Sequence, residues 1–324
     1  MIELKHISKT FRTTRRNKGF REAAKALFHR EYTYIHALDD VSFSVSDGEM
    51  VGYIGPNGAG KSSTIKIMSG ILTPDGGECI INGRTPWKDR IGHVRDIGVV
   101  FGQRSQLWWD VPVVDSFDLI KDIYNVEKKA YQKTLGDLTE LLHLGEIIKT
   151  PARHLSLGQR MRCEIAASLL HNPKILFLDE PTIGLDAVSK IAVRDFIKAI
   201  NQERQTTVIL TTHDMQDIEA LTERILLIGN GKILLDGALT ELKKRSSRLK
   251  TLTVDYSGPP VDLAKGMELS KNLNGHMELV IDTEVLSVSV AINHLTKQLE
   301  IHDISVTGAT VEEMVVALYK EFAI

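Results

Sequence analysis

A phosphate-binding loop between a strand and a helix is the feature that most constrains this chain. Met50 to Ile54 is an apolar run, residues 55–63 match the pattern G-x-x-x-x-G-K-[ST], and the residues up to Ser69 favour a helix. Glycines in the loop let backbone N–H groups point at phosphate oxygens, and the positive end of the following helix favours phosphate as well. A chance glycine-rich turn would lack the flanking strand and helix. The sequence therefore predicts a site for a nucleoside triphosphate.

The residue types of this loop suit separate parts of the nucleotide. Lys61 is expected to reach the β- and γ-phosphates, and Ser62 is expected to ligate Mg²⁺. The other predicted nucleotide-binding positions are Gly55, Asn57, Gly58, Ala59, Gly60 and Ser63.

Composition narrows the class of protein. The chain has 324 residues, of which 43% are hydrophobic and 25% charged, so we expect one domain of more than 200 residues and a smaller one. A net charge of −2 gives no global field for nucleic acid, and two distant cysteines argue against a disulfide scaffold. We find neither a signal peptide nor a run of 18 apolar residues, and we expect the chain not to cross a membrane itself.

An aromatic residue and a basic stretch follow the first predicted strand. Phe11 stands just past the strand end and could stack on adenine, although an ordinary core or edge aromatic is an equally good interpretation. The insertion 12–34 holds seven Lys or Arg residues against one acid between Arg12 and Arg30. Its apolar residues have helical spacing, which fits either a helix on an anionic membrane or partner, or a solvated insertion packed on its own domain.

Polar residues follow three further apolar strands of a predicted parallel sheet. Asp179 and Glu180 end the run that begins at Ile175, and His213 ends the run that begins at Thr207. Because carboxylates at a buried strand end are costly without a role, we expect Asp179 to hold Mg²⁺ and Glu180 to polarise the attacking water. His213 could sense the γ-phosphate at the same edge. Gln103, after a strand at 97–101, could offer its amide oxygen to Mg²⁺ or to water.

The segment between these strands is predicted to be helical. From Arg104 to Leu144 the apolar residues recur at helical spacing, and Ser156 is a natural N-cap for the next helix. Trp108 and Trp109 are adjacent and cannot both face one stripe, so we expect one in the core and one as an interface anchor.

Taken together in this order, the motifs resemble the ATPase subunit of ABC transporters over roughly Ile2 to Leu242. The residues that carry the resemblance are Gly55–Ser63, Gln103, Leu155–Gln159, Asp179-Glu180, Gly184-Leu185-Asp186 and His213. The resemblance implies an α/β P-loop NTPase fold with a mainly parallel core sheet, an antiparallel β edge and an inserted helical subdomain at about 104–172.

The resemblance also implies roles for individual residues. Phe11 is the adenine-stacking aromatic, with Tyr32 or Tyr34 as alternatives, and Gln103 is the lid glutamine. Glu180 is the general base and His213 the switch histidine. The signature motif, which contacts ATP from a second subunit, contains Ser156, Gly158 and Gln159; Asp186 lies in the loop that crosses the dimer interface; and the metal residues are Ser62, Gln103 and Asp179.

Two positions depart from the family pattern. Leu157 replaces the first glycine of the signature L-S-G-G-Q, and Gly102 looks like an extra residue before the lid glutamine. Neither change removes a chemical group that the mechanism uses. A leucine at position 157 does put the closeness of backbone approach there in question.

The function implied by the resemblance is that of an ATP-hydrolysing motor. Its expected cofactors are ATP and Mg²⁺, and its expected partners are a second ATPase subunit, giving a homodimer, and separate membrane permease subunits on the cytoplasmic face. The residues around Trp108 and the late segment 303–322 look most like bacterial exporters of the drug-resistance or polysaccharide type. The alternative is an ABC-type ATPase that acts on ribosomes or DNA, although the chain has one cassette and no sustained heptad repeat, and we expect no nucleic acid.

The last part of the chain is predicted to be a small accessory domain. We place the ATP-binding domain at 1–242, a linker at 243–250 and an α+β domain at 251–324. A domain of this size is marginally stable alone. Regulation or support of the dimer is the hypothesis for its role.

Overall fold

The computed structural model describes residues 1–14, 32–102, 104–246, 248–259, 261–273, 275–308 and 310–322. The chain divides into two compact units, Met1–Asp236 and Gly237–Ala323. The division falls after Asp236, whereas the sequence suggested residue 242. Most of the insertion 12–34, including its predicted helix, lies outside the described residues, and so does Gln103.

The first unit is built on a six-stranded sheet with the order β5-β6-β7-β3-β8-β9. Its strands are β3 (Met50–Ile54), β5 (Ile97–Phe101), β6 (Ile175–Asp179), β7 (Thr207–Thr211), β8 (Arg224–Gly229) and β9 (Lys232–Ala238), whose last two residues lie past the division of the chain. The paired strands from β5 to β8 run parallel, as apolar runs buried on both faces predict. The carboxyl ends of β6, β7 and β3, which are neighbours, therefore lie at one edge of the sheet.

Helix α1 (Lys61–Met68) has eight residues and follows β3 along the chain. Six further α-helices of this unit lie within the described residues. They are α2 (Arg90–Asp96), α3 (Val113–Ile123), α4 (Lys128–Leu141), α5 (Leu157–Leu169), α6 (Ala187–Arg204) and α7 (Met215–Leu221). On α5, Met161, Ile165 and Leu169 are all buried, as their spacing predicts.

An antiparallel sheet of three strands forms the expected β edge. Its order is β2-β1-β4, with β1 (Ile2–Thr14), β2 (Tyr32–Val45) and β4 (Gly76–Ile81). One hydrophobic core joins this sheet to α1 and the parallel sheet. The prediction that Phe11 stands past the end of β1 is wrong: pairing with β2 carries the strand to Thr14, and Phe11 pairs with Ile35. The fold class is confirmed: the unit is a P-loop NTPase with a mainly parallel core.

The two tryptophans before α3 differ from the prediction. Trp108 is 59% exposed and Trp109 is 48% exposed, so neither belongs to the core. Leu107 is buried instead, and it occupies the inward position that we assigned to one tryptophan. Arg160 lies over the ring of Trp109, 5.4 Å from its centroid.

The second unit is a four-stranded antiparallel sheet with two of its helices capped by side chains. The strand order is β11-β12-β10-β13, and the core holds Leu252, Val254, Leu279 and Ile281. Its elements are α8 (Leu239–Ser246), β10 (Leu249–Ser257), β11 (Met267–Leu273), β12 (His276–Asp282), α9 (Val288–Thr296), β13 (Glu300–Gly308) and α10 (Val311–Glu321). Helix α8 extends through residues 243–246 of the segment that we interpreted as a linker.

Across the described ranges, the structure has no helix that combines the length and the apolar character needed to span a membrane.

Candidate functional site

The phosphate loop passes from β3 into α1 over a bend that suits glycine. Gly60 precedes α1 with a φ of 116°, and a Cβ atom there would lie 2.6 Å from the carbonyl oxygen of Ala37. Any larger residue would therefore face both backbone strain and a collision. Gly55 and Ala59 are buried, whereas Asn57 and Gly58 are exposed on the open side of the loop. The loop offers backbone N–H groups and the positive end of α1 to an anion.

Lys61 lies inside this loop with its charge largely removed from water. Its ammonium donates to the carbonyl oxygens of Gly55 at 2.6 Å and Pro56 at 3.0 Å, and the residue is only 6% exposed. Burial lowers the pKa of Lys61, against the opposing attraction of Glu180 and Asp179. A bound triphosphate would add negative charge beside this ammonium and stabilise its protonated form.

The carboxylates of β6 reach the same edge. Asp179 is the last residue of β6, and its Oδ1 accepts a hydrogen bond of 2.5 Å from the Thr211 hydroxyl of β7. Ser62 presents an exposed hydroxyl in the first turn of α1. A carboxylate and a hydroxyl are hard oxygen ligands of the kind that Mg²⁺ prefers. The residues present therefore fit a magnesium ion held with the nucleotide.

The side chains of Glu180 and His213 meet at this edge. The Nε2 atom of His213 lies 2.7 Å from Oε1 of Glu180, and both side chains are partly exposed. Glu180 has a φ of 57°, a left-handed conformation that is strained for a residue with a side chain. Its backbone N–H donates to the Thr211 carbonyl oxygen at 2.9 Å, which holds β6 to β7 at the bend. Lys61, Asp179, Glu180 and His213 are thus brought together by three neighbouring strand ends.

A second group of predicted residues gathers at the starts of α5 and α6. Ser156 caps α5 in a capping box: its hydroxyl accepts from the Gln159 N–H, and the Gln159 side chain accepts from the Ser156 N–H at 2.9 Å. Asp186 caps α6 by accepting from the backbone N–H and the hydroxyl of Ser189, both at 2.9 Å. Gly158 lies against Ser189, since a Cβ atom on it would be 2.4 Å from that hydroxyl.

Leu157 also belongs to this second group. A Cβ atom on Gly184 would lie 2.8 Å from Cδ2 of Leu157, so the leucine side chain packs on the loop that leads to Asp186. The departure from the usual glycine therefore adds a contact within the chain.

Gly102, which looked like an extra residue, has a structural reason. Its N–H donates to the carbonyl oxygen of Asp179 at 2.8 Å, and a Cβ atom would lie 2.7 Å from the carbonyl oxygen of Glu180. The chain after β5 thus runs against the bend that carries both carboxylates, and only glycine fits there.

The candidate adenine-stacking residues lie on the β1–β2 ribbon. Phe11 is 37% exposed, Tyr32 38% and Tyr34 59%. Phe11 pairs with Ile35 and the adjacent Arg12 pairs with Tyr34, so Phe11 and Tyr34 point to opposite faces of the ribbon. The guanidinium of Arg12 lies 4.1 Å from the centroid of the Tyr32 ring.

Sequence reasoning missed the threonines that support the carboxylates. Thr211 bonds Asp179, while Thr182 and Thr212 both bond the buried Asp217 of α7. The signal available was the pair Thr211 and Thr212, which follows the apolar run 208–210 of β7. Their partners could not be identified because they lie more than thirty residues away in sequence, or on another element.

Comparisons with known proteins agree with this geometry. Residues 38–183 match the family model described as ABC transporter. The chain is 28% identical over 289 residues to an uncharacterized ABC transporter ATP-binding protein, YhcH, of Bacillus subtilis, with 86% of this chain and 93% of YhcH covered. It is 37% identical over 212 residues to the doxorubicin resistance ATP-binding protein DrrA of Mycobacterium tuberculosis, with 65% of this chain and 63% of DrrA covered.

Other relatives are longer than the matched region. The probable multidrug ABC transporter ATP-binding protein YbhF of Escherichia coli is 35% identical over 213 residues, which are 65% of this chain but only 36% of YbhF.

Among solved structures, the ATP-binding cassette MJ0796, dimeric in a post-hydrolysis state bound to ADP and Pi, is 26% identical with a TM-score of 0.61. That match covers 74% of this chain and 99% of MJ0796. The matched family model, these relatives and the clustered Lys61, Asp179, Glu180 and His213 lead to one conclusion: residues 38–183 form an ABC transporter domain, and over most of its length this chain is similar to ABC transporter ATP-binding proteins.

Proposed function

We propose that the chain is the ATP-hydrolysing motor subunit of an ABC exporter, which dimerises around two ATP molecules and drives movement through separate permease subunits. The observation that carries this proposal is the pairing of Glu180 with His213 at 2.7 Å, at the strand ends that also present Lys61. A carboxylate that can accept a proton therefore stands beside a phosphate loop.

The roles of the residues follow from their positions. Lys61 and the α1 N-terminus bind the β- and γ-phosphates, and Ser62 and Asp179 hold Mg²⁺, which neutralises phosphate charge when bound. Glu180 accepts a proton from the attacking water. His213 holds the Glu180 carboxylate by the 2.7 Å contact and is proposed to contact the γ-phosphate. Gln103, as the lid glutamine, and Phe11, as the adenine-stacking aromatic, complete the proposed site.

Dimerisation is proposed because the predicted residues form two groups on different elements. The first group surrounds Lys61 at the ends of the strands. The second group, which includes Ser156, lies at the start of α5. The backbone N–H groups at the start of a helix suit phosphate. In a head-to-tail dimer, Ser156, Gly158 and Gln159 of one subunit would cap ATP held by the other, with Asp186 at the interface. The solved structure of MJ0796 is dimeric, which is consistent with this arrangement.

The permease contact is proposed at Trp108 and Trp109. Exposed aromatic residues are the common anchors of protein interfaces, and these two follow the lid position closely in sequence. Docking there would place the chain peripherally on the cytoplasmic face of the membrane. The names of DrrA and YbhF, which refer to doxorubicin resistance and to multidrug transport, favour export. The second unit is proposed to regulate or support the dimer.

A mixing experiment tests whether the active site is shared between two chains. Lys61→Ala removes the phosphate-binding cation, and Ser156→Arg blocks the signature helix start; each variant alone should be inactive. Mixed dimers contain one site with an intact phosphate loop and an intact signature, so mixing should restore about a quarter of wild-type turnover. No recovery on mixing, with both variants folded and exchanging subunits, would contradict the shared site.

A further inference from the structure

Asp217, in the first turn of α7, connects three separate elements around the Glu180–His213 pair. Its Oδ2 accepts hydrogen bonds from the hydroxyls of Thr182 and, at 3.0 Å, Thr212. Its Oδ1 accepts from Nε of Arg194 on α6 at 2.6 Å. Asp217 is 0% exposed.

A carboxylate so deeply buried requires partners of this quality. Removing a charge from water is costly unless a counter-charge and hydrogen bonds replace the solvent. Arg194 supplies the charge, and the two threonines, each 2% exposed, supply hydroxyl donors. Arg194 also contacts Asp214, in the loop after β7, with 3.4 Å between Nη2 and Oδ2. The Lys190 ammonium donates to the same Oδ2 atom at 2.6 Å. The loop after β7 is thereby fixed to α6.

The two threonines are next to the reacting groups in sequence. Thr212 directly precedes His213, and Thr182 follows Glu180 by two residues. Glu180 has a left-handed backbone, which persists only where the surrounding structure holds it. On one side its N–H is held by the Thr211 carbonyl oxygen. On the other side, the Thr182 hydroxyl is anchored to Asp217.

We infer that Asp217 is a positioning residue for ATP hydrolysis: through Thr182 and Thr212 it holds Glu180 and His213 at their hydrogen-bonding separation. The inference rests on the proposed role of Glu180 as the base. Asp217 itself is enclosed and acts only through the two threonines.

The expected effect is on turnover rather than on nucleotide affinity. A displacement of the catalytic base by about 1 Å can slow an enzyme by about 100-fold. The loss of one hydroxyl should displace Glu180 by less than that, so we expect Thr182→Val to lower kcat by roughly 10-fold. The KM for ATP should stay within about twofold, because Thr182 lies outside the phosphate loop.

Three variants separate positioning from general stability. Thr182→Val removes the hydroxyl while keeping the branched shape, and Thr182→Ser keeps the hydroxyl and should restore most of kcat. Thr222→Val is the matched control: Thr222 is also buried, and its hydroxyl donates at 2.9 Å to the Ile218 carbonyl oxygen, away from the carboxylate. It should lower the melting temperature similarly and leave kcat unchanged. Thr212→Val makes the corresponding test from the loop after β7, where it also removes the acceptor of the Asp214 N–H at 3.0 Å, and it replaces Thr182→Val if that protein does not fold.

Wild type and Glu180→Gln are measured in the same assay. An inactive wild type, or a Glu180→Gln variant as active as wild type, would contradict the proposed function. If Glu180→Gln abolishes turnover but Thr182→Val and Thr212→Val behave like Thr222→Val, the positioning role of Asp217 is wrong. The two valine variants combined should lose less than the product of their separate losses, since both act through one carboxylate. Fully multiplicative losses would also overturn the inference.

Discussion

Gly102→Ala should damage catalysis although residue 102 contacts no phosphate in the proposed mechanism. The added Cβ atom would lie 2.7 Å from the Glu180 carbonyl oxygen and 3.0 Å from that of Asp179. Both are backbone atoms, which cannot turn aside as a flexible side chain does. Ordinary contact begins at 3.4 Å, so the two strand ends must separate by roughly 0.4 to 0.7 Å.

That separation moves the carboxylates directly. The two carbonyl groups belong to Asp179 and Glu180, the residues that carry the carboxylates. The hydrogen bond of 2.8 Å from the Gly102 N–H to the Asp179 carbonyl oxygen is strained at the same time. Overpacking of this kind costs about 1 to 3 kcal/mol of stability. Displacing the base by half an ångström or so should reduce kcat by roughly tenfold.

Gly136→Ala is the matched control for this substitution. Gly136 lies in α4, and a Cβ atom there meets nothing within 4 Å. The same change should therefore stabilise the protein by about 0.5 to 1 kcal/mol through helix propensity, with kcat unaffected. Thermal unfolding and steady-state ATPase rates measure both quantities. A Gly102→Ala protein with wild-type kcat and melting temperature would refute the close approach on which the reasoning depends.

Three further predictions concern other parts of the chain. Burial raises the pKa of Cys79 and of Cys163 to about 12, so a thiol reagent at pH 8 should modify neither in the native protein and both after unfolding. Hydrogen bonds from Ser189 lower the pKa of Asp186 in the folded protein. The Asp186 carboxylate therefore stabilises the fold above its unfolded pKa of 3.8, and this stabilisation is lost as the pH falls through the lower pKa of the folded state. The difference in melting temperature between wild type and Asp186→Ala should shrink in that range. Gly184 has a φ of 71° and lies against Leu157, so Gly184→Ala should lower the melting temperature, and combining it with Leu157→Gly should recover the steric part of the loss but not the backbone strain.

The parts of the fold that could be predicted from the sequence are those with a local signal. The phosphate loop is contiguous, and the apolar runs at Ile175 and Thr207 each end in a polar residue, so parallel pairing alone brings Glu180 and His213 to one edge. A second local signal, the N-cap residue type, placed a helix start at Ser156, which forms a capping box in the structure.

Features that depend on tertiary packing could not be predicted. Asp217 acquires its role from threonines 35 and 5 residues away and from a cation on another helix, and none of these spacings is periodic. The side chain that is buried before α3 is Leu107 and not a tryptophan. Adjacent side chains point in different directions, and the local sequence does not show which of them faces the core. The length of β1 follows from its pairing with β2, so the local sequence did not indicate that Phe11 lies within it.

The most direct test of the account is ATP turnover and oligomeric state measured together for wild type and Glu180→Gln in ATP and Mg²⁺. General base catalysis contributes about 100- to 10,000-fold, so the variant should lose essentially all turnover while still binding ATP. Because it cannot hydrolyse the nucleotide that joins the subunits, it should elute as a stable dimer with ATP and as a monomer with ADP. A variant that hydrolyses ATP at the wild-type rate, or that binds ATP and stays monomeric, would contradict the central claim that Glu180 acts at an ATP-bound dimer interface.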